Sequence, residues 1–185
     1  MFDLEIAEST PGENVRIGCP APDFSLKTES ETEWRLSDQL GGVTVLLFYP
    51  QNETMVCTKQ LCSVRDNWEM YLETKATIVG ISPATPSEHR SFANSRRLPL
   101  QLLADPERKI TRVFGWHWLY PVSLTRAVVV IVARGIVRNR NIMLRAFRPS
   151  DSQLVTDIYA ARGDALTDQY ETLRDRVMRK THNNN

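Results

Sequence analysis

The segment from Val45 to Tyr71, VLLFYPQNETMVCTKQLCSVRDNWEMY, constrains the fold more than any other part of the chain. Its continuous apolar run, Val45 to Tyr49, reads as a buried strand. A polar turn follows from Pro50 to Glu53, and Thr54 and Cys57 then enter a helix. Leu61, Val64, Trp68, Tyr71 and Leu72 fall at i, +3, +7, +10 and +11, one face of a 3.6-residue period. At about 100° per residue, Cys57 sits within about 40° of Leu61, so its thiol is expected on the buried side. Cys62 lies about 140° round from Cys57, near the edge of that face. The first turn of a helix favours a thiolate, because unpaired N–H groups and the positive end of the dipole both stabilise the anion.

The rest of the chain repeats the strand–helix theme. Phe24-Ser25-Leu26 and Trp34-Arg35-Leu36 alternate apolar and polar residues around a polar run, which predicts a hairpin. Ser37 to Gly42 reads as a short turn, and Ala76 to Ile81 as a second buried strand. Thr85-Pro86-Ser87-Glu88 supplies a capping box with proline at the first helical position, opening a helix to about Arg96. Leu100 to Leu103 reads as a strand, and Asp105-Pro106 as the start of a helix ending at Gly115. Ala127 to Val132 and Ile136 to Asn139 read as two strands joined by Ala133-Arg134-Gly135. Ser150 and Gln153 form another capping box, with Leu154, Ile158 and Ala161 at helical spacing until Gly163. A second amphipathic helix is expected from Asp164 to about Lys180, then a disordered tail, Thr181 to Asn185. Met1 to Gly18 has no clear period and is expected to be an irregular arm or a short strand. Strand–helix alternation closed by a hairpin predicts a single α/β domain with a mixed central sheet flanked by helices.

Composition excludes several classes of function. A net charge of +1 gives no reason to expect nucleic acid or an anionic membrane surface. No apolar run approaches the roughly 18 residues of a membrane span. The acidic start, MFDLEIAEST, does not resemble a secretory leader, so a cytoplasmic protein is expected. Three cysteines do not make a disulfide scaffold; in a reducing compartment they are catalytic, redox-active or simply buried. Cys57 and Cys62 are not spaced as zinc ligands, and His89, His117 and His182 are scattered, so no metal or other cofactor is expected.

Pro50-x-x-x-Thr54-x-x-Cys57 matches the P-x-x-x-T-x-x-C signature of the peroxiredoxins, thiol peroxidases on a thioredoxin-like fold. Cys62, five residues after Cys57, resembles the bacterioferritin-comigratory, or Q-type, branch. Pro20-Ala21-Pro22-Asp23-Phe24 is similar to that family's N-terminal stretch, and Leu102-Leu103-Ala104-Asp105 to its segment before the next helix. Arg126 directly precedes the apolar run Val128 to Val132, as the family's active-site arginine does. Met55-Val56 replaces the Pro-Gly usual before the cysteine in this branch. Trp116 to Leu124 and a pair of C-terminal helices go beyond a minimal Q-type chain.

The resemblance implies a reaction. Cys57 is the nucleophile on hydrogen peroxide or an organic hydroperoxide, and Thr54 hydrogen-bonds the sulfur or the peroxide. Arg126 holds the thiolate and polarises the peroxide, and Pro50 shapes the loop and limits water. Cys62 resolves the resulting sulfenic acid as an intramolecular disulfide, which a thioredoxin-like protein reduces. The assembly is a monomer or homodimer. Cys19 matches no motif and is read as structural. Trp116-His117-Trp118 shapes the peroxide entrance, packs, or makes an oligomer contact. Two rival classes are a protein dithiol–disulfide oxidoreductase, for which C-x-x-C is missing, and a non-catalytic binding or holdase protein on the same fold.

Overall fold

Short β-branched runs become the centre of one sheet, and the amphipathic segments between them pack on its faces. The computed structural model describes residues 15–52, 55–115, 121–144 and 150–163, with only the backbone of residues 55–57. In chain order the elements are β1 (Ser25–Thr28), β2 (Glu33–Arg35), β3 (Thr44–Phe48), α1 (Met55–Asp66), α2 (Trp68–Glu73), β4 (Thr77–Ser82), α3 (Pro86–Arg96), β5 (Gln101–Ala104), α4 (Lys109–Phe114), β6 (Thr125–Ile131) and β7 (Val137–Leu144). A further helix, α5, spans residues 151–163. The sheet order is β2-β1-β5-β4-β3-β6-β7. β3, β4 and β5 run parallel, and β1 and β6 flank them antiparallel. This is the mixed sheet of a thioredoxin-like α/β fold. Among the described residues no helix is long and apolar enough to cross a membrane.

Alternation along the strands sorts their side chains into two cores. Val45, Leu47 and Tyr49, with Val128 and Val130, face Leu61, Val64, Tyr71, Phe92 and the α5 residues Leu154, Val155, Ile158 and Ala161. Leu46, Phe48, Val129 and Ile131 face the other way, onto Phe24, Trp34, Ile110 and Phe114. Arg126 shares its parity with Val128 and Val130, so β6 presents it to the α1 side. Leu61 and Val64, each 1% exposed, anchor α1 to the sheet. Truncating a leucine so placed costs about 2–5 kcal/mol.

The hairpin, the buried strands and the Thr85–Glu88 capping box stand as expected, with most strand ends shifted by one or two residues; β7, expected to end at Asn139, runs on to Leu144. Four differences have physical causes. The helix after Cys57 is not continuous: Asn67 (φ −107°, ψ 21°) separates α1 from α2. The break takes Leu72 off the buried face, leaving it 58% exposed, while Tyr71 is 1% exposed. α4 begins at Lys109, well after Pro106. The buried Asp105 carboxylate accepts from Ile110 N at 3.4 Å and from Thr111 N and Oγ1 at 2.7 Å each. It thereby caps α4 from a distance, and Arg108 turns the chain between them at φ 55°. Arg126 lies within β6 rather than ahead of it. Of the box expected at α5, one half forms: Gln153 N donates to Ser150 Oγ at 3.2 Å, but the Gln153 amide donates to Asp157 at 2.9 Å. Residues 1–14 of the expected arm, the helix from Asp164 and the tail lie outside the described residues; residues 15–18 form no helix or strand.

Candidate active site

The site forms where β3 ends. Phe48 pairs with Ala127 across β3 and β6, which brings Arg126 level with the start of the Pro50 turn. Pro50 is buried there. Arg126 is fully buried, and its Nη1 donates a short hydrogen bond to Gln60 Oε1; Gln60 is itself 4% exposed. Residues 57 and 60 are one turn apart on α1, so a guanidinium anchored at Gln60 lies beside the turn that carries Cys57. A buried cation needs hydrogen-bonding partners, because stripping it of water is otherwise costly.

The loop that carries Pro50 is tied down on its far side. His89, fully buried on α3, has Nε2 3.1 Å from Leu103 O, so the tautomer protonated at Nε2 is assigned. Its Nδ1 then accepts from Asn52 Nδ2 at 3.4 Å, and Asn52 Oδ1 accepts from Tyr49 OH at 3.0 Å. Ser82 Oγ lies 3.5 Å from Asn52 Oδ1 and completes the cluster. Burial pushes the His89 imidazole below its ordinary value; its hydrogen bonds to Leu103 and Ser82, and then the charges of Glu29 and Glu88, oppose that. A neutral ring therefore fastens the loop to β4, β5 and α3. From the α4 side, Arg108 Nη2 donates to Pro50 O at 3.3 Å. Burial lowers the Arg108 guanidinium too, with Asp105 opposing.

The structure places Arg126 level with the start of the Pro50 turn and bonds it to Gln60, three residues after Cys57 on α1. Cys62 follows on α1, half-buried and unbridged, and Cys19 is exposed and unbridged. Thr54, the Cys57 side chain and Trp116-His117-Trp118 lie outside the described residues. Sequence reasoning missed Gln60, Asn52, His89 and Arg108. Only Gln60 carried a usable signal, as a polar residue one turn from Cys57 on a face that then becomes apolar.

The profile of the AhpC/TSA family matches residues 17–140, two thirds of the chain. The chain belongs to this family. Among relatives, a chloroplastic peroxiredoxin Q of Populus jackii is 42% identical over 129 residues, 67% of this chain and 59% of that protein. Peroxiredoxin Bcp of Bacillus subtilis is 39% identical over 100 residues, 54% of this chain and 64% of its own length. The chain thus spans less than two thirds of these relatives. The peroxidoxin BcpB of Mycobacterium tuberculosis superposes with a TM-score of 0.66 at 29% identity, over 80% of this chain and 97% of that one. A reduced 2-Cys peroxiredoxin of Plasmodium vivax gives 0.68 at 20% identity, over 80% and 82% of the two chains, and speaks for the fold alone. This AhpC/TSA chain carries α5 beyond the matched region.

Proposed function

We propose that the chain is a thiol-dependent peroxidase of hydrogen peroxide and organic hydroperoxides. The observation that carries this reading is Arg126: a fully buried guanidinium, bonded to Gln60 one turn beyond Cys57. Cys57 thiolate attacks one peroxide oxygen; the S–O bond forms, the O–O bond breaks, and the departing oxygen takes a proton to become water or an alcohol. Arg126 holds the thiolate and stabilises charge on the departing oxygen. Thr54 donates its hydroxyl to the sulfur or the peroxide, and Pro50 excludes water. Cys62 then attacks the sulfenic sulfur: the S–S bond forms and the S–O bond breaks. Hydroxide leaves as water with the Cys62 proton. A thioredoxin-like dithiol protein reduces the disulfide and is itself oxidised. The unit is a monomer or homodimer in a reducing, cytoplasmic setting, in keeping with exposed, unbridged Cys19.

Peroxide consumption with dithiothreitol as reductant tests this. The wild-type chain should consume peroxide catalytically, and Cys57→Ser should not. Insulin reduction without peroxide consumption would favour a dithiol–disulfide oxidoreductase, and loss of both activities a binding role.

A further inference from the structure

The region around Cys62 holds a cluster that the peroxidase chemistry does not use. Asp151, at the start of α5, receives side-chain donors from three residues of the α1–α2 unit. Ser63 Oγ donates a short hydrogen bond to Oδ2, Tyr71 OH donates to Oδ1 at 2.6 Å, and Asn67 Nδ2 lies 3.4 Å from Oδ2. Asn67 also donates to Ser63 O at 2.9 Å, at the point where α1 ends. Tyr71 is almost fully buried in the core that also takes Leu154, Val155, Ile158 and Ala161 of α5. The carboxylate therefore joins α5, which lies beyond the matched region, to the residue directly after Cys62.

We propose that Asp151 is a positioning residue that braces α1 at Cys62 and so limits the rate at which Cys62 resolves a Cys57 sulfenic acid. The proposal rests on the peroxidase reading. Both cysteines lie on α1. Five residues of regular helix separate their Cα atoms by about 8.6 Å, from a rise of about 7.5 Å and a chord of about 4.3 Å. A disulfide spans at most about 7 Å, so α1 must open before the bond forms. Opening that starts at Met55 frees Cys57, but Cys62 must also turn to meet it, and the next residue, Ser63, is held by Asp151. Charge-assisted hydrogen bonds are the stronger class, and this carboxylate takes donors from three side chains. The attack on peroxide needs no such opening and is independent of the brace.

Rapid quenching with alkylation and mass spectrometry reads the two steps separately in the full chain. Asp151→Ala should form the Cys57–Cys62 disulfide about tenfold faster, with sulfenic acid formation unchanged and less over-oxidation at a given peroxide concentration. Asp151→Asn, which keeps an acceptor and loses the charge, should fall between. Tyr71→Phe and Ser63→Ala remove one donor each, leave the carboxylate of α5 in place, and should each give a smaller acceleration. Hydrogen exchange at residues 59–66 should quicken in the same order in the reduced proteins. Resolution at the wild-type rate, or slower, in folded Asp151→Ala and Tyr71→Phe would overturn the proposal. If peptide mapping finds no Cys57–Cys62 disulfide in the wild type, the assignment of Cys62 fails instead. Hydrogen exchange then decides the brace by itself, and unchanged protection at residues 59–66 would dismiss it.

Discussion

Helix α1 is held on two flanks that differ in kind. On the sheet flank, Arg126 projects from β6, a strand paired on both sides, and reaches Gln60 with both residues buried. On the other flank, Ser63 of α1, with Asn67 and Tyr71 just beyond it, reaches a half-buried carboxylate on α5. A strand inside a sheet cannot shift without breaking ladders on both sides, whereas a helix held by side chains can lift. The first flank suits a fixed electrostatic role and the second a movable one. The two holds meet α1 one turn apart, at Gln60 and at Ser63, and they differ in what it takes to release them.

The largest effect should come from breaking the sheet flank. Arg126→Met should lower the rate of peroxide attack by about 10²–10³-fold, the cost typical of removing one donor to developing oxyanion charge. Arg126→Lys should keep the fold and still lose much of the rate, because a point charge cannot reproduce the fork. Arg134→Lys, on the β6–β7 turn, should be nearly silent, and equal losses at the two positions would show that the wrong arginine has been assigned. Stopped-flow peroxide consumption measures all three.

Gln60→Leu should come next. It leaves the fully buried guanidinium without its Gln60 acceptor, at a cost of about 1–3 kcal/mol in stability, and it lets the cation drift from the Cys57 turn. Denaturant unfolding and peroxide kinetics should both respond; a change in stability alone would reduce Gln60 to a packing role. By contrast Tyr71→Phe, on the α5 flank, should cost about 1 kcal/mol and leave peroxide attack untouched.

The loop anchor gives a smaller, pH-dependent effect. His89 is held below its ordinary value of 6.5, chiefly by burial. The unfolded chain therefore takes up a proton that the folded chain refuses. The contribution to stability is whole above about 6.5 and declines as the pH falls towards the depressed folded value. Denaturant titrations of wild type and His89→Gln across that range should show a difference in slope of this sign. His89→Gln should also be less stable at neutral pH by about 1–3 kcal/mol, through lost buried hydrogen bonds.

Much of the sheet flank was legible in the sequence, and almost none of the α5 flank. Val45 to Tyr49 and Ala76 to Ile81 reveal their strands because strands buried on both faces are apolar throughout. Pro50, Cys57 and Arg126 are singled out by the resemblance to the peroxiredoxin pattern. The break at Asn67 was hidden because Leu61, Val64, Trp68 and Tyr71 keep helical spacing across it. The late start of α4 was hidden because Asp105 caps it from outside the local window. Gln60, His89 and Asp151 are ordinary polar residues whose partners lie 66, 37 and 88 residues away in sequence for Arg126, Asn52 and Ser63. Only the fold creates those contacts, and no local pattern announces them.

We hold that the Arg126 charge serves the Cys57 thiolate, a role that the pH dependence of Cys57 alkylation reads out. In a Cys19→Ser, Cys62→Ser background, the rate of reaction with iodoacetamide reports the thiolate fraction at each pH. The midpoint should lie well below the roughly 8.5 of a free thiol and move towards that value in Arg126→Met. Superimposable profiles with and without the arginine would contradict it.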